Sequence, residues 1–320
     1  MTPPPAEWAP HAAVWIGFPS HPELWVDDLD PARAEVAAFA RAVHADGRGE
    51  QVILVCADGE AADAAAALAP FAEIVVEPFG DIWLRDTGPI VLANGMARLF
   101  GFNGWGGKYD LPGDDTIGRR LAETRSLRTQ DCGWVLEGGA IDGDGTGVVI
   151  TTEQCLLNRN RNPELGRAEI EAHLRDDLGF LRVVWLGEGL LNDHTDGHVD
   201  NLARFVAEGR VAVPEPAEND PNWQIYQHAR RDLEAAGLEV VTIPSPGRVL
   251  RDGEIVPASY MNFYIGDAAV VVPLYGAEND DAAVAAVQAL FPDRKAVGLR
   301  ADHILTGGGS FHCISQQVPA

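Results

Sequence analysis

Five short segments of this 320-residue chain combine the side-chain types that covalent chemistry needs: DIWLRDTGP (81–89), FNGWGGKYD (102–110), LEGGAI (136–141), NDHTDGHVDN (192–201) and GGGSFHC (307–313). Each mixes glycines with carboxylates, histidine, tryptophan or cysteine. Most fall where a strand pattern ends, which is where a rigid scaffold presents functional groups. Cys313 follows Gly307-Gly308-Gly309, a triplet that lets backbone approach a ligand closely. A thiolate there is a candidate nucleophile; the plainer alternative is a small buried hydrophobe. On a strand, His198 and Asp200 would share one face about 6–7 Å apart, suiting a base and a charge-pairing carboxylate. A metal site on His194, Asp196, His198 and Asp200 is the competing reading, weakened because no second His or Cys cluster completes it. Asp193 and Asp196 also read as turn acids that bond their own backbone.

The other segments support these. Arg85 reads as one half of a structural ion pair. Asp86 is either a turn-initiating acid or a carboxylate facing a cation, with Trp83 as a flat wall beside it. Glu137 lies between Leu136 and Gly138-Gly139, surroundings in which a carboxylate is costly unless paired; a protonated histidine would satisfy it. Cys56, within VILVC, and Cys155, beside Leu156-Leu157, read as core, and Cys132 carries no signal.

Composition narrows the function. With 24 Lys and Arg against 48 Asp and Glu, the net charge is −24. Such a chain has no cationic excess with which to bind nucleic acid, and its field favours small cations. Hydrophobic residues at 46% and charged residues at 22% suit a folded domain. No apolar run reaches the roughly 18–20 residues of a membrane span, and MTPPPAEWAPHAAVW has neither the basic nor the apolar region of a secretion signal. A soluble, reduced, cytoplasmic protein without membrane or nucleic-acid partners is expected; a homo-oligomer is left open.

These groups must be positioned by repeated units. Hairpin signals recur around Gly95, Gly145, Gly209 and Gly266, with β-branched residues flanking a tight turn. Helical stretches follow at 114–123, 163–178, 221–236 and 280–291. Ile170, Leu174 and Leu178 form one apolar stripe, and Ile225, Ala229 and Leu233 another. Strands LRVVWLG, LEVVTIP and KAVGLRA follow the last three helices. The N-terminal stretch fits a split or partial unit: strand AAVWIGF, helix 31–45 with Val36, Phe39 and Val43 inward, and strand QVILVCA. About five such units predict an α/β fold of repeated modules packed round a common axis, rather than a doubly wound sheet, which expects single strands between helices. No linker divides residues 1–320, so a single domain is expected.

Taken in order, WLRDTGP, FNGWGGKY, LEGG, DGHVDN and GGG–HC resemble the agmatine deiminase and bacterial peptidylarginine deiminase family of guanidino-group-modifying enzymes. The resemblance runs from PAEWAPHAAVWIGFP to GGGSFHCISQQVP. It implies a five-bladed, pseudo-fivefold α/β propeller (a pentein-like fold). It also implies hydrolysis of agmatine to N-carbamoylputrescine and ammonia through a covalent Cys thiouronium, on a route towards putrescine; peptidylarginine or another guanidino compound is the alternative substrate. Carried over by motif, Cys313 is the nucleophile, His198 the acid/base, Asp86 and Asp200 the guanidinium carboxylates and Glu137 the partner of His198. Trp83, Trp105 and Gly308 are expected at the substrate. No metal or organic cofactor is implied. Five positions depart from the usual pattern: Ser310, Phe311, Leu24, His194 and Arg204.

Overall fold

Runs of β-branched residues make the strands, and tight turns fold them into hairpins. Gly95, Gly145 and Gly209 sit in three of those turns with φ of 75°, 78° and 66°, values a Cβ would disfavour. The structure is a computed structural model and describes residues 2–320. Its first strands are β1 (His11–Gly17), β2 (Gln51–Cys56) and β3 (Glu73–Val76). Four units of one plan follow: β4 (Ile90–Val91), β5 (Met96–Gly101) and β6 (Arg128–Val135); β7 (Ile141–Gly143), β8 (Val148–Thr152) and β9 (Arg182–Leu186); β10 (Arg204–Ala207), β11 (Arg210–Glu215) and β12 (Glu239–Pro244); then, beyond a short ribbon of β13 (Leu250–Arg251) and β14 (Glu254–Ile255), β15 (Tyr264–Ile265), β16 (Ala269–Leu274) and β17 (Lys295–Arg300). In each, an antiparallel hairpin is followed by a helix, and the third strand adds parallel to the second hairpin strand.

The split unit is completed by the far end of the chain. β18 (Ser315–Pro319) pairs antiparallel with β1, Ile16 opposite Ser315, and β2 adds parallel on the other side of β1. The first sheet therefore runs β18-β1-β2-β3, with the two chain ends side by side. The helices bury their predicted stripes: Val36, Phe39 and Val43 on Leu29–His44, and Ile170, Leu174 and Leu178 on Arg167–Leu178, are all fully buried. On Trp223–Ala235 the buried face is Tyr226, Ala229 and Leu233, with Ile225 only partly covered. Among the described residues no helix is long and apolar enough to cross a membrane.

Candidate active site

The repeat places the reactive groups, because each of the five sheets offers the residues just ahead of its first hairpin strand. Asp86, Glu137 and Asp200 each stand four residues before that strand begins (86 to 90, 137 to 141, 200 to 204). Asn262 and Cys313 stand two residues before theirs (262 to 264, 313 to 315). Five equivalent corners thus converge, and His198 arrives on the same turn as Asp200. The crowding there is measured by Gly139. A Cβ on it would lie 2.6 Å from His198 Nδ1, 2.8 Å from Asp86 Oδ1 and 3.1 Å from Asp200 Oδ2.

Cys313 lines the floor of a cavity of about 190 Å³ together with Trp83, Asp86, Trp105 and Gly308, while Leu24, Trp25, Tyr109, Leu111 and His194 form its outer walls. The volume is below the roughly 300–1,000 Å³ typical of drug-sized ligand sites. The glycine triplet serves the indole of Trp83: a Cβ on Gly307 or Gly309 would meet that ring at 2.4 and 2.6 Å. Gly308, at φ +99°, turns the chain between them. Trp105 Nε1 donates to Asp86 Oδ2 at 2.9 Å and the Gly139 amide donates to Asp86 Oδ1 at 3.0 Å, which fixes the plane of that carboxylate.

His198, Asp200 and Glu137 lie fully buried beneath this floor. His198 and Asp200 are not on a strand: His198 precedes a single 3-10 turn, Val199–Asn201, that holds Asp200. The turn forms because Asp193 accepts from Thr195 N at 2.9 Å and from its hydroxyl at 2.6 Å, and the Thr195 hydroxyl accepts from His198 N at 3.0 Å. Asp193 is thus a turn acid, as its type suggests. Asp196 is not; it pairs with Lys108 at 2.6 Å and with Arg161, and accepts from Asn160 at 2.9 Å.

The four-residue metal reading fails on the same geometry. His194 faces Tyr109 Oη at 3.0 Å, Asp196 faces Lys108 and Arg161, His198 lies 3.6 Å from Asp86, and Asp200 is bonded to His312. The donor groups that do gather among the described residues are Glu137, Cys155 and His198, and separately His11, Glu50 and Asp267. In the second trio Tyr264 Oη donates to Glu50 Oε1 at 2.8 Å and the Asp267 amide to Glu50 Oε2 at 3.0 Å, beside a His11–Glu50 pair at 3.1 Å, so the Glu50 carboxylate is satisfied within the protein.

Glu137 is close to His198, its carboxylate within 4.8 Å of the ring together with the Cys155 thiol. Its hydrogen bond goes elsewhere: Oε1 accepts from Arg161 Nε at 2.8 Å, and both side chains are fully buried. Sequence reasoning missed Arg161, and it assigned Cys155 to plain core although its thiol neighbours His198. It also missed Asn262, whose Nδ2 donates to Cys313 Sγ at 3.0 Å and to Asp200 Oδ2 at 3.3 Å, while its Oδ1 accepts from the Cys313 amide at 3.2 Å. The repeat was the available signal for Asn262, since it occupies the fourth unit's corner. Arg85 is ion-paired with Glu7 at 3.5 Å, and Arg204 is a fully buried pairing residue behind the site.

Charge at the site is strongly perturbed. Burial, then Asp200 and Asp86, push the Cys313 thiol well above its ordinary range, against help from the Ser310 amide and Asn262. Burial opposes charge on His198, but Asp86, Cys155 and Glu137 outweigh it and hold the ring well above the usual histidine value. The resting site is therefore a neutral thiol near an imidazolium. Alkylation of the free protein by iodoacetamide is expected to be slow at pH 7. It should accelerate about tenfold per pH unit, without levelling, to beyond pH 9, because only the thiolate reacts. A rate that saturates by pH 8 contradicts this ionisation state.

Four polar positions beneath the cavity have no hydrogen-bond partner among the described residues: Asp200 Oδ1, Glu137 Oε2 and both ring nitrogens of His198. Unpaired buried polar groups cost about 1–3 kcal/mol each and are few in native proteins. Their convergence beside a cysteine marks a place built for a polar ligand.

Comparison with known proteins agrees with this geometry. The sequence pattern of the Porphyromonas-type peptidyl-arginine deiminase family matches residues 4–319. An agmatine deiminase of Stutzerimonas stutzeri is 40% identical, across 99% of this chain and 95% of its own. The solved agmatine deiminase of Enterococcus faecalis superposes with a TM-score of 0.92 at 32% identity, covering 99% of this chain and 96% of that one. A C. jejuni agmatine deiminase, solved as a cysteine-to-serine form with substrate bound, gives 0.92 at 28% identity over 100% and 97%. With a matched pattern that takes in all five corner turns, the chain belongs to the Porphyromonas-type peptidyl-arginine deiminase family.

Proposed function

We propose that this protein hydrolyses agmatine to N-carbamoylputrescine and ammonia through a thiouronium on Cys313. The observation that carries the reading is a set of buried atoms without a hydrogen-bond partner, an Asp200 oxygen, a Glu137 oxygen and the nitrogens of the His198 ring, which is ion-paired to Asp86 at 3.6 Å, gathered near Cys313. A guanidinium is a planar cation with N–H groups on three sides. Charge-assisted bonds to Asp86 and Asp200 fix its plane, and Trp83 and Trp105 line the cavity beside it. Its positive charge lowers the thiol pKa on binding, and the thiol proton leaves to solvent. Cys313 Sγ then bonds to the central carbon. His198 gives its proton to the departing nitrogen, and ammonia leaves with the C–N bond. The neutral ring next takes a proton from water and the hydroxide adds to the carbon; the proton of the new hydroxyl passes to sulfur as the S–C bond breaks, releasing the urea and restoring the thiol. Glu137, held by Arg161, supports the imidazolium electrostatically, as the third group of a triad does.

Only thiol, imidazole, carboxylates and water enter these steps, so no cofactor is assigned. Agmatine is the substrate class carried by the related enzymes' names, and a cavity of about 190 Å³ favours a small linear guanidine over one borne on a peptide. We further propose that the five sheets are the blades of a pseudo-fivefold propeller, forming one catalytic domain across 1–320, and that the protein works in the cytoplasm. Ureido-product formation from agmatine, arginine and a blocked arginyl peptide, in parallel at equal concentration, tests the assignment. Agmatine is expected to dominate; product chiefly from the peptide or from arginine would overturn the substrate, and product from none would overturn the reaction.

A further inference from the structure

Behind Asp200, away from the cavity, lies a second histidine that the reaction above does not use. His312 is 2% exposed. Its Nδ1 is 2.8 Å from Asp200 Oδ2 and its Nε2 is 2.8 Å from Glu7 Oε2. Glu7 belongs to the segment ahead of β1. Its Oε1 accepts from the Ile265 amide at 2.7 Å, and its Oε2 also meets Arg204 at 3.0 Å and Arg85 at 3.5 Å. Arg204 continues to Asp142 at 3.2 Å and to the Phe263 carbonyl at 2.8 Å. The charged groups facing the ring from all sides are thus Asp200, Glu7 and Asp142 against Arg85 and Arg204, with Cys313 and His198 beyond Asp200.

A ring with a carboxylate oxygen at hydrogen-bonding distance from each nitrogen can donate to both only as the imidazolium. A neutral ring would turn a lone pair towards one of the anions. Both carboxylates remain ionised: burial raises each, but for Glu7 the positions of Arg204, His312 and Arg85, and for Asp200 those of His312, His198 and Arg204, more than reverse it.

We infer that His312 is a positioning residue for the reaction, a fixed imidazolium clamped by Glu7 that orients Asp200 and holds it ionised. It occupies Asp200 Oδ2, which leaves Oδ1 to receive the guanidinium, and its charge offsets the thiolate that forms 3.4 Å from the same oxygen. The N-terminal segment thereby completes a site whose nucleophile lies near the C-terminus. The inference rests on the reading of Asp200 as a guanidinium carboxylate.

The test is kcat and KM for agmatine at pH 7 in the full chain and in Glu7→Gln, His312→Gln and Asp200→Asn. Without the Glu7 anion the ring is held on one side only and Asp200 is less well oriented, so Glu7→Gln should lose about tenfold in kcat/KM, mainly in KM. His312→Gln, which removes the cation and one of its two donors, should lose about tenfold or more, again mainly in KM. A Glu7→Gln with parental KM overturns the inference, and so does a parental His312→Gln. An active Asp200→Asn with unchanged KM instead overturns the underlying site reading. Should Glu7→Gln fail to fold, imidazole 15N shifts of the parent at pH 7, with His312 assigned through its variant, decide: imidazolium values at both nitrogens support the clamp, and a neutral-tautomer pattern overturns it.

Discussion

Serine at position 313 is expected to stop turnover of agmatine while leaving it bound. The serine hydroxyl lacks the thiol's nucleophilicity, and losing a covalent nucleophile typically costs on the order of 10^4–10^6 in kcat. Binding should survive because the carboxylates are held by other groups. Asp86 is fixed by the Trp105 indole and the Gly139 amide, and Asp200 by His312 and Asn262. Isothermal titration of Cys313→Ser with agmatine should give a dissociation constant within about tenfold of the parent's KM, a change of roughly 1.4 kcal/mol or less. A variant that keeps more than a hundredth of parental kcat would remove Cys313 from the mechanism.

His198→Gln should have the next largest effect, through both halves of the reaction. Glutamine cannot protonate the leaving nitrogen or deprotonate water, and a lost general acid–base costs about 10^2–10^4-fold. The parent's kcat/KM should fall on the alkaline side as His198 loses its proton; because that ring is held well above the usual histidine value, the fall begins well above pH 6.5. The sign follows directly: the folded pKa is raised, so the acid form is present below it and lost as pH rises through it. In the variant this limb should vanish. KM should hold steady or fall, since the imidazolium 3.6 Å from Asp86 no longer competes with the substrate cation. Retention of a tenth of parental kcat, or an unchanged alkaline limb, would assign the proton transfers elsewhere.

Some of the fold was legible because its signals are local. Ile170, Leu174 and Leu178 repeat at helical spacing, and the turns at Gly95, Gly145 and Gly209 need a conformation that glycine adopts freely. What escaped notice lacked contrast. The helix Gly59–Leu68 is mostly alanine, so it shows little stripe. Strand β6 reads RTQDCGWV and β18 reads SQQVP, polar runs that owe their place to a neighbouring strand rather than to an apolar face. The helix expected from 114 starts only at Ile117, because Asp114 spends its carboxylate on the Gly80 and Asp81 amides, at 2.7 and 3.2 Å, instead of capping.

The site divides in the same way. The order of the motifs, through their resemblance to the deiminase family, points to Cys313, His198, Asp86, Asp200 and Glu137 as the expected reactive set, whereas residue type alone left Cys313 and Asp86 open. The chain also declares an acidic composition and a repeated α/β plan. Which group pairs with which was decided only by tertiary structure. Glu137 bonds to Arg161 rather than to His198, Asp196 bonds to Lys108 and Arg161 rather than to its own turn, and Asn262 sits on the thiol. Glu7 reaches His312 across 305 residues. The physical reason is that hydrogen-bond donors and acceptors are interchangeable in a sequence. A buried carboxylate must find some partner, and only the packing of five corner turns against one another determines which partner lies within 3 Å.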